Sequence, residues 1–449
     1  MLCERGPELQ SRVPSIRAGT RNASAIRKPV PSVGSTSQAP RSKLLRLLNW
    51  CPRWPALFLL ALLLPTDLSF YIGPLRLTLY RTILILSCYP AMSRVFSGRS
   101  GRVIFADWLV LVHMGWCLFV IAYYSGIEVC LQSGGVRFFE YAGAYFLARA
   151  YITDERTFQG VIAFTIVTVC LIFPWAVFES ITGTNLILLV TSGGHFVSHI
   201  EKRWGFTRAF GTFDHPILLG VWAATALSVT WRRIFPQMGH PRPRKFLTIF
   251  VLLTAFASMS SGAIVSLMTQ IMLMLWEAKT RLWRNRWRIL LVLMVGVYIG
   301  VGLVAHHPPM IAILTHLAFS EANVYGRMII FDYGMASIGR HPILGIGFNE
   351  WLHPTWMSGS MDNFWLVQAV TFGIPGFLTF ALPAVLIPAL GWRNLSSRIT
   401  KLRTAWTISW IGIIIAGGTV DFWNNLFTYY AFFLGTGAWF LNVRRRAPE

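Results

Sequence analysis

A succession of apolar stretches, separated by short polar segments, constrains this 449-residue chain more than any other feature. A helix needs about 20 apolar residues to cross the hydrocarbon core of a bilayer. Only 13% of the residues are charged, whereas soluble domains carry roughly 25%. That is too little charge to cover a soluble protein of this size, so the pattern predicts an integral membrane protein.

We predict an all-α polytopic membrane protein with about twelve transmembrane helices. The predicted spans lie near residues 54–71, 75–91, 103–124, 136–152, 158–178, 215–231, 246–259, 263–277, 289–305, 363–391, 405–420 and 422–441. The tenth contains Gly373 and Pro375, and we interpret it as a broken helix inside protein or a water-filled cavity. Residues 1–42 form a predicted disordered basic tail, and residues 43–449 a transmembrane domain with long loops at 179–214 and 306–362.

The distribution of basic residues predicts the orientation. An even number of spans places both termini on one side, with 31 Lys and Arg residues there and five on the other. Cytoplasmic loops carry such an excess, so both termini are predicted to be cytoplasmic and both long loops to face outward. Most of the formal charge of +22 is therefore a topology signal. The basic residues gather in no soluble domain, which excludes nucleic acid as a partner.

The five outward cations are Lys202, Arg203, Arg208, Arg327 and Arg340. Basic residues are disfavoured in short translocated loops, so those that persist there are functional candidates. Arg208 can clamp a phosphate by a planar two-point contact, with lipid-headgroup contact as the alternative. Contact with headgroups also suits Lys202 and Arg203, and Arg340 precedes a His-Pro turn and suits a structural role.

The second loop carries Arg327 on a predicted surface helix at 324–338, and Asp362 and Asn363 open the broken tenth span. Asp362 can be a base that takes a proton from a hydroxyl group, or an ordinary helix cap. Within the spans, Arg81 and Arg149 need partners because intramembrane charge is expensive, and Glu140 is a candidate partner of Arg81. The six cysteines form no disulfide framework and no metal-spacing motif, so no metal site is predicted.

Three motifs in this order resemble the O-antigen ligase and polymerase superfamily. They are RAFGTFDHP before a span, the GR…HPILGIG loop, and Asp-Asn followed by G-I-P-G. The resemblance covers most of residues 54–441. It implies a membrane glycosyltransferase of the C-type fold, acting on undecaprenyl-pyrophosphate-linked glycans at the periplasmic face of the bacterial inner membrane. It implies neither a metal nor another cofactor.

The resemblance also implies roles for individual residues. Arg208 and Arg327 match the arginines that hold the donor pyrophosphate, and Asp362 stands where the acceptor is activated. The candidate substrate-binding residues are Arg203, His215, Asn363, Glu350 and His353. Family members often have His-Asn where the tenth helix begins, whereas this chain has Asp362-Asn363. That departure favours a polymerase of exopolysaccharide repeats. Attack of the acceptor hydroxyl in a single step predicts inversion at the anomeric carbon.

Two alternatives remain open on the sequence. A ligase would move a finished glycan onto a lipid A core or another acceptor. A transporter or flippase should show internal repeats and ionisable residues at the bilayer midplane, whereas the distinctive polar groups here cluster on the outer side. The predicted partners are the glycan donor, the glycan acceptor, the lipid bilayer and other polysaccharide assembly proteins.

Overall fold

The computed structural model describes residues 43–73, 75–192, 202–231, 241–304, 321–357, 359–392 and 395–443. The predicted tail at 1–42 lies outside the described residues, as do 193–201 and 306–320 of the two long loops. The described part of the compact unit Ser42–Glu449 is mostly helical.

The helices and strands follow one another in this order along the chain. They are α1 (Lys43–Leu48), α2 (Arg53–Ala61), β1 (Ser69–Ile72), β2 (Leu75–Thr78), α3 (Leu79–Phe96), α4 (Phe105–Val129), a π-helical turn (Cys130–Gly134), α5 (Gly135–Phe138), a second π-helical turn (Phe139–Gly143), α6 (Ala144–Tyr151), α7 (Glu155–Thr182), α8 (Leu186–Thr191), β3 (Lys202–Arg203), β4 (Phe206–Thr207), α9 (Pro216–Ala224), α10 (Ala226–Trp231), α11 (Pro241–Ala257), α12 (Ser261–Lys279), α13 (Arg286–Val304), α14 (Glu321–Arg340), α15 (Phe364–Ala389), α16 (Ser397–Gly417), α17 (Asn424–Gly437) and a 3-10 turn (Ala438–Leu441).

Five helical segments of the described ranges are long and apolar enough to cross a membrane. They are Phe105–Tyr151, Glu155–Thr182, Ser261–Lys279, Arg286–Leu303 and Phe364–Ala389, and Pro216–Trp231 and Lys245–Ala257 are shorter apolar helices. This composition agrees with an α-helical membrane protein. The number of twelve spans and the C-type fold remain predictions.

Two short antiparallel hairpins interrupt the predicted all-α architecture. The predicted span 54–71 is wrong at its end, because α2 stops at Ala61 and β1 begins at Ser69. Pro65 lacks the N–H that another helical turn requires, so the chain turns and pairs β1 with β2. The second hairpin pairs β3 with β4 inside the first long loop.

The predicted break in the tenth span is confirmed at Gly373, inside α15. Gly373 has φ 69° and ψ −177°, a conformation that favours glycine. A side chain at this position would overlap the carbonyl oxygen of Ile343, which belongs to the HPILGIG loop. The loop therefore packs directly onto the break, and glycine permits that contact.

The backbone groups released by this break are satisfied by neighbouring segments. Ile346 N donates to Val370 O (3.0 Å), Gly347 N to Thr371 O (2.9 Å), Trp116 Nε1 to Phe372 O (2.8 Å), and Ile374 N to Pro342 O (2.8 Å). Unpaired backbone groups are costly in an apolar environment, so these bonds fix the first half of α15. That half begins at Asn363 and holds the neighbouring Asp362 in position.

Two ion pairs hold charged residues inside the predicted spans. The predicted partner of Arg81 is confirmed, since its Nε lies 2.8 Å from Oε1 of Glu140. Arg149 is fully buried, and its Nε lies 3.2 Å from Oδ1 of Asp107. Burial of these charges is tolerated because each has an opposite charge at hydrogen-bond distance.

Candidate functional site

Arg203 and Arg208 are positioned by the turn that joins α11 to α12. Nη1 of Arg203 donates to the carbonyl oxygen of Met259 at 2.7 Å, and Nε of Arg208 lies 3.5 Å from the carbonyl oxygen of Ser258. Met259 has φ 43°, so the turn presents these carbonyls through an unusual backbone conformation. Arg208 is 7% exposed, whereas Arg203 is half-buried.

His215 caps the N-terminus of α9 and lies within range of these charges. Its Nδ1 accepts a hydrogen bond from Ile217 N at 3.3 Å, so this nitrogen carries no proton. Burial and the charges of Arg208 and Arg203 together lower the pKa of His215 to about 4, although the charge of Asp362 acts in the opposite direction. The imidazole is therefore neutral at pH 7 and adds no charge to the arginines.

Arg327 joins the same electrostatic unit from helix α14. Burial lowers its pKa, Asp362 opposes this shift, and the charge of Arg203 adds to it. A guanidinium stays protonated at neutral pH despite such a shift. We call Arg203, Arg208, His215, Arg327 and Asp362 the arginine site. The structure brings these residues together from three separate segments of the chain.

Asp362 and Asn363 have different tasks at the start of α15. Asn363 Oδ1 accepts hydrogen bonds from the backbone N–H groups of Trp365 and Leu366, both at 3.1 Å, so Asn363 is the helix cap. Asp362 is exposed, has φ 40°, and accepts a hydrogen bond from Ser360 Oγ at 3.0 Å. The helix cap is therefore Asn363 and not Asp362, whose carboxylate accepts the hydrogen bond from Ser360 instead.

Glu350 and His353 pair with each other. Nε2 of His353 lies 3.3 Å from Oε1 of Glu350, whose side chain is 82% exposed. The His353 ring also packs at 5.0 Å from Trp351, which is anchored by a bond from its Nε1 to Gly359 O. These local contacts account for both side chains structurally, and their substrate-binding role stays a prediction.

Two carboxylates beside the arginine site were missed by sequence reasoning. Asp214 accepts hydrogen bonds from Thr66 Oγ1 at 2.6 Å and from Asn424 Nδ2 at 2.7 Å. Burial raises the pKa of Asp421 to about 6; Phe422 N–H and Arg137 oppose this, whereas Asp362 adds to it. Their position in the sequence could have identified both carboxylates as candidates, since Asp214 directly precedes His215 and Asp421 lies between two predicted spans.

The arrangement suits the binding of a multiply charged anion. Three guanidinium groups, two of them held by backbone carbonyls, share a site in which Asp362 is an exposed carboxylate. Arginine presents a planar fork of donors that matches phosphate oxygens. The carboxylate of Asp362 lies within electrostatic range of these cations and can accept a proton from a bound hydroxyl group.

Comparison with known proteins supports the family. No curated protein matches the chain significantly. Residues 246–381 match the family model described as O-Antigen ligase. The match includes the turn that holds Arg203 and Arg208, the helix that carries Arg327, Asp362 and the break at Gly373. This match over residues 246–381 supports the resemblance of the chain to the O-antigen ligase and polymerase superfamily.

Proposed function

We propose that this protein polymerises lipid-pyrophosphate-linked oligosaccharide repeats at the periplasmic face of the bacterial inner membrane. The observation that carries the proposal is the arginine site, in which Arg203, Arg208 and Arg327 act electrostatically together with Asp362. A lipid-linked glycan with a pyrophosphate group supplies the anion that these cations suit. The second substrate is a lipid-linked repeat that offers a sugar hydroxyl.

The reaction is a single displacement. The acceptor hydroxyl oxygen bonds to the anomeric carbon of the donor, and the bond from that carbon to the pyrophosphate oxygen breaks. The electron pair leaves with the lipid pyrophosphate, and Asp362 takes the hydroxyl proton and returns it to solvent. Attack opposite the leaving group inverts the anomeric carbon. Arg208 and Arg327 stabilise the charge that develops on the leaving pyrophosphate.

Substitution of the arginines tests the proposal. Arg208→Ala and Arg327→Ala should each reduce polymer at least about 100-fold, because removal of one preorganised donor has costs of this order. Arg208→Lys should also be poor, since lysine keeps the charge but loses the two-point contact. Polymer is measured by gel electrophoresis of extracted glycan, with membrane-inserted protein quantified in the same cells.

Arg340→Ala is the matched control. Arg340 ends the helix that carries Arg327, and it is exposed. This variant should make polymer at the wild-type level. Wild-type yield from Arg208→Ala and Arg327→Ala would contradict the roles assigned to these residues.

A ligase is the second candidate, favoured by the description of the family whose model matches residues 246–381. The lipid-linked intermediates of a deletion strain distinguish the two functions. Loss of a polymerase leaves single lipid-linked repeats, whereas loss of a ligase leaves lipid-linked polymer. Loss of a flippase would leave single lipid-linked repeats that are accessible only from the cytoplasmic side.

A further inference from the structure

Arg137 lies in an unusual stretch of backbone between helices α4 and α6. It belongs to the four-residue helix α5, with π-helical turns at Cys130–Gly134 before it and Phe139–Gly143 after it. π-Helical turns are rare and occur often at functional sites. The sequence placed Arg137 at the outward end of the fourth predicted span, and it was not among the five outward cations considered there.

The hydrogen-bond and ring contacts of Arg137 within the described residues are with neutral groups. Its Nη2 donates to Oε1 of Gln368 at 2.6 Å, and the guanidinium lies 4.7 Å from the ring of Phe372 and 4.9 Å from that of Phe427. The thiol of Cys117 is a further polar neighbour. The buried Nε has no hydrogen-bond partner in the described part of the chain.

The other arginines of the neighbouring spans are neutralised. Arg81 pairs with Glu140, and Arg149 pairs with Asp107. Glu140 lies only three residues after Arg137, yet it is already engaged by Arg81 Nε at 2.8 Å and by Tyr80 OH at 3.0 Å. Glu140 and Asp421 lie within electrostatic range of Arg137, but neither forms an ion pair with it in the described part of the chain. A half-buried cation without an ion pair is costly, so an anion from outside the chain would stabilise it.

The surroundings of Arg137 connect it to the arginine site. Gln368 and Phe372 belong to the first half of α15, which begins beside Asp362. The charge of Arg137 lowers the pKa of Asp421, and the charge of Asp362 raises it. Arg137 and Asp362 therefore lie within electrostatic range of the same carboxylate, and Asp362 also acts on Arg327.

We propose that Arg137 is a further anion-binding residue, which contacts the phosphate of the donor nearest to the lipid. This inference rests on the proposed function for the nature of the ligand. A bound phosphate at the accessible part of the half-buried guanidinium supplies a counter-ion. The rings of Phe372 and Phe427 flank the guanidinium and offer apolar surface to the first carbons of the lipid chain.

The test measures ligand binding without measuring polymer. Full-length protein is purified in detergent, and its thermal unfolding is followed as inorganic pyrophosphate is added, because a ligand of the folded state raises the midpoint. Arg137→Gln should raise the apparent Kd for pyrophosphate about tenfold or more, the loss expected for a charged hydrogen bond. The apparent Kd of Arg137→Lys should lie between those of the wild type and Arg137→Gln. The apparent Kd of Arg340→Gln should match that of the wild type.

A second measurement separates binding from a structural role. Without ligand, Arg137→Gln should unfold at the wild-type temperature or above it, because the substitution removes an unneutralised charge. A lower midpoint together with an unchanged Kd would show a structural role and overturn the proposal. An unchanged Kd alone, or no stabilisation of the wild type by pyrophosphate, would overturn it as well.

Two further arms identify the source of the phosphate and separate this inference from the proposed function. If nanodiscs with phosphatidylglycerol stabilise the protein through Arg137 while pyrophosphate does not, the residue binds ordinary lipid headgroups and the proposal fails. If Arg137→Gln weakens pyrophosphate binding while Arg208→Ala leaves polymer at the wild-type level, the inference about Arg137 stands and the proposed function fails.

Discussion

Two groups of arginines in this protein have different surroundings. In the first, which we call the Arg149 clamp, Arg149 Nε lies 3.2 Å from Asp107 Oδ1, and its terminal nitrogens donate to the carbonyl oxygens of Ser100 and Arg102 at 2.8 and 2.7 Å. Tyr145 OH donates to the same carboxylate at 2.7 Å. Each nitrogen of this fully buried guanidinium has a partner within the protein.

The arginine site is different. Arg203 and Arg208 donate to backbone carbonyls, and Asp362, which acts electrostatically on His215 and Arg327, is exposed. Like charges that lie close together repel one another, so a bound anion would stabilise the group. The comparison shows that an arginine inside a predicted span does not by itself mark a site. We expect the groups around an arginine to distinguish a structural clamp from a binding site.

The largest expected effect concerns the Arg149 clamp. Arg149→Met should lower the free energy of unfolding by about 3–5 kcal/mol, because it leaves the buried Asp107 carboxylate without its cation. The double variant Arg149→Met/Asp107→Leu should recover most of this loss, since it removes both charges. Denaturant unfolding of the purified protein in detergent measures both. If Arg149→Met kept its stability but lost activity, the clamp would belong to the site and the comparison would fail.

A smaller effect separates the two neighbours at the start of α15. Asn363→Ala should cost about 1 kcal/mol of stability, because it removes the cap of the helix. Asp362→Asn should leave stability nearly unchanged and abolish polymer, because the carboxylate makes no cap and serves as the base. Unfolding midpoints and polymer yield are measured for both variants. Full polymer from Asp362→Asn would exclude Asp362 as the base.

Local patterns were enough to predict several of these features. Gly373 and Pro375 within one apolar stretch predicted the broken helix, because glycine and proline both weaken a helix. The pairing of Arg81 with Glu140 followed from the cost of intramembrane charge. The outward cations Arg208 and Arg327 were singled out by the side on which they fall, and their role in binding stays a prediction.

Other features depend on contacts between distant segments, which a local pattern does not contain. Arg137 was assigned to a span, and its lack of a carboxylate is visible only when Gln368 and Phe427 are placed beside it. The division of tasks between Asp362 and Asn363 follows from a one-residue difference in where α15 begins. Helix α2 ends early because of Pro65, which is a local signal. The predicted span nevertheless continued past Pro65, because the residues around it are apolar.

The smallest expected effect is the pH dependence that His215 contributes to stability. Burial and the charges of Arg208 and Arg203 lower its pKa to about 4, against an ordinary value of 6.5. Between these values the unfolded chain binds a proton that the folded chain does not bind. The contribution of His215 therefore destabilises the folded state progressively as pH falls from 6.5 to 4.

His215→Asn should remove this contribution and keep the helix cap, because the asparagine side chain also accepts a hydrogen bond at this position. The wild type should lose more stability than the variant between pH 7 and pH 4.5, by less than about 1 kcal/mol, since solvent screens a partly exposed group. Asp421 has a raised pKa and acts in the opposite direction, but it is present in both proteins and cancels in the difference. Equal pH slopes would mean that neither burial nor the charges of Arg208 and Arg203 lower the pKa of His215, and His215 would then not belong to the arginine site.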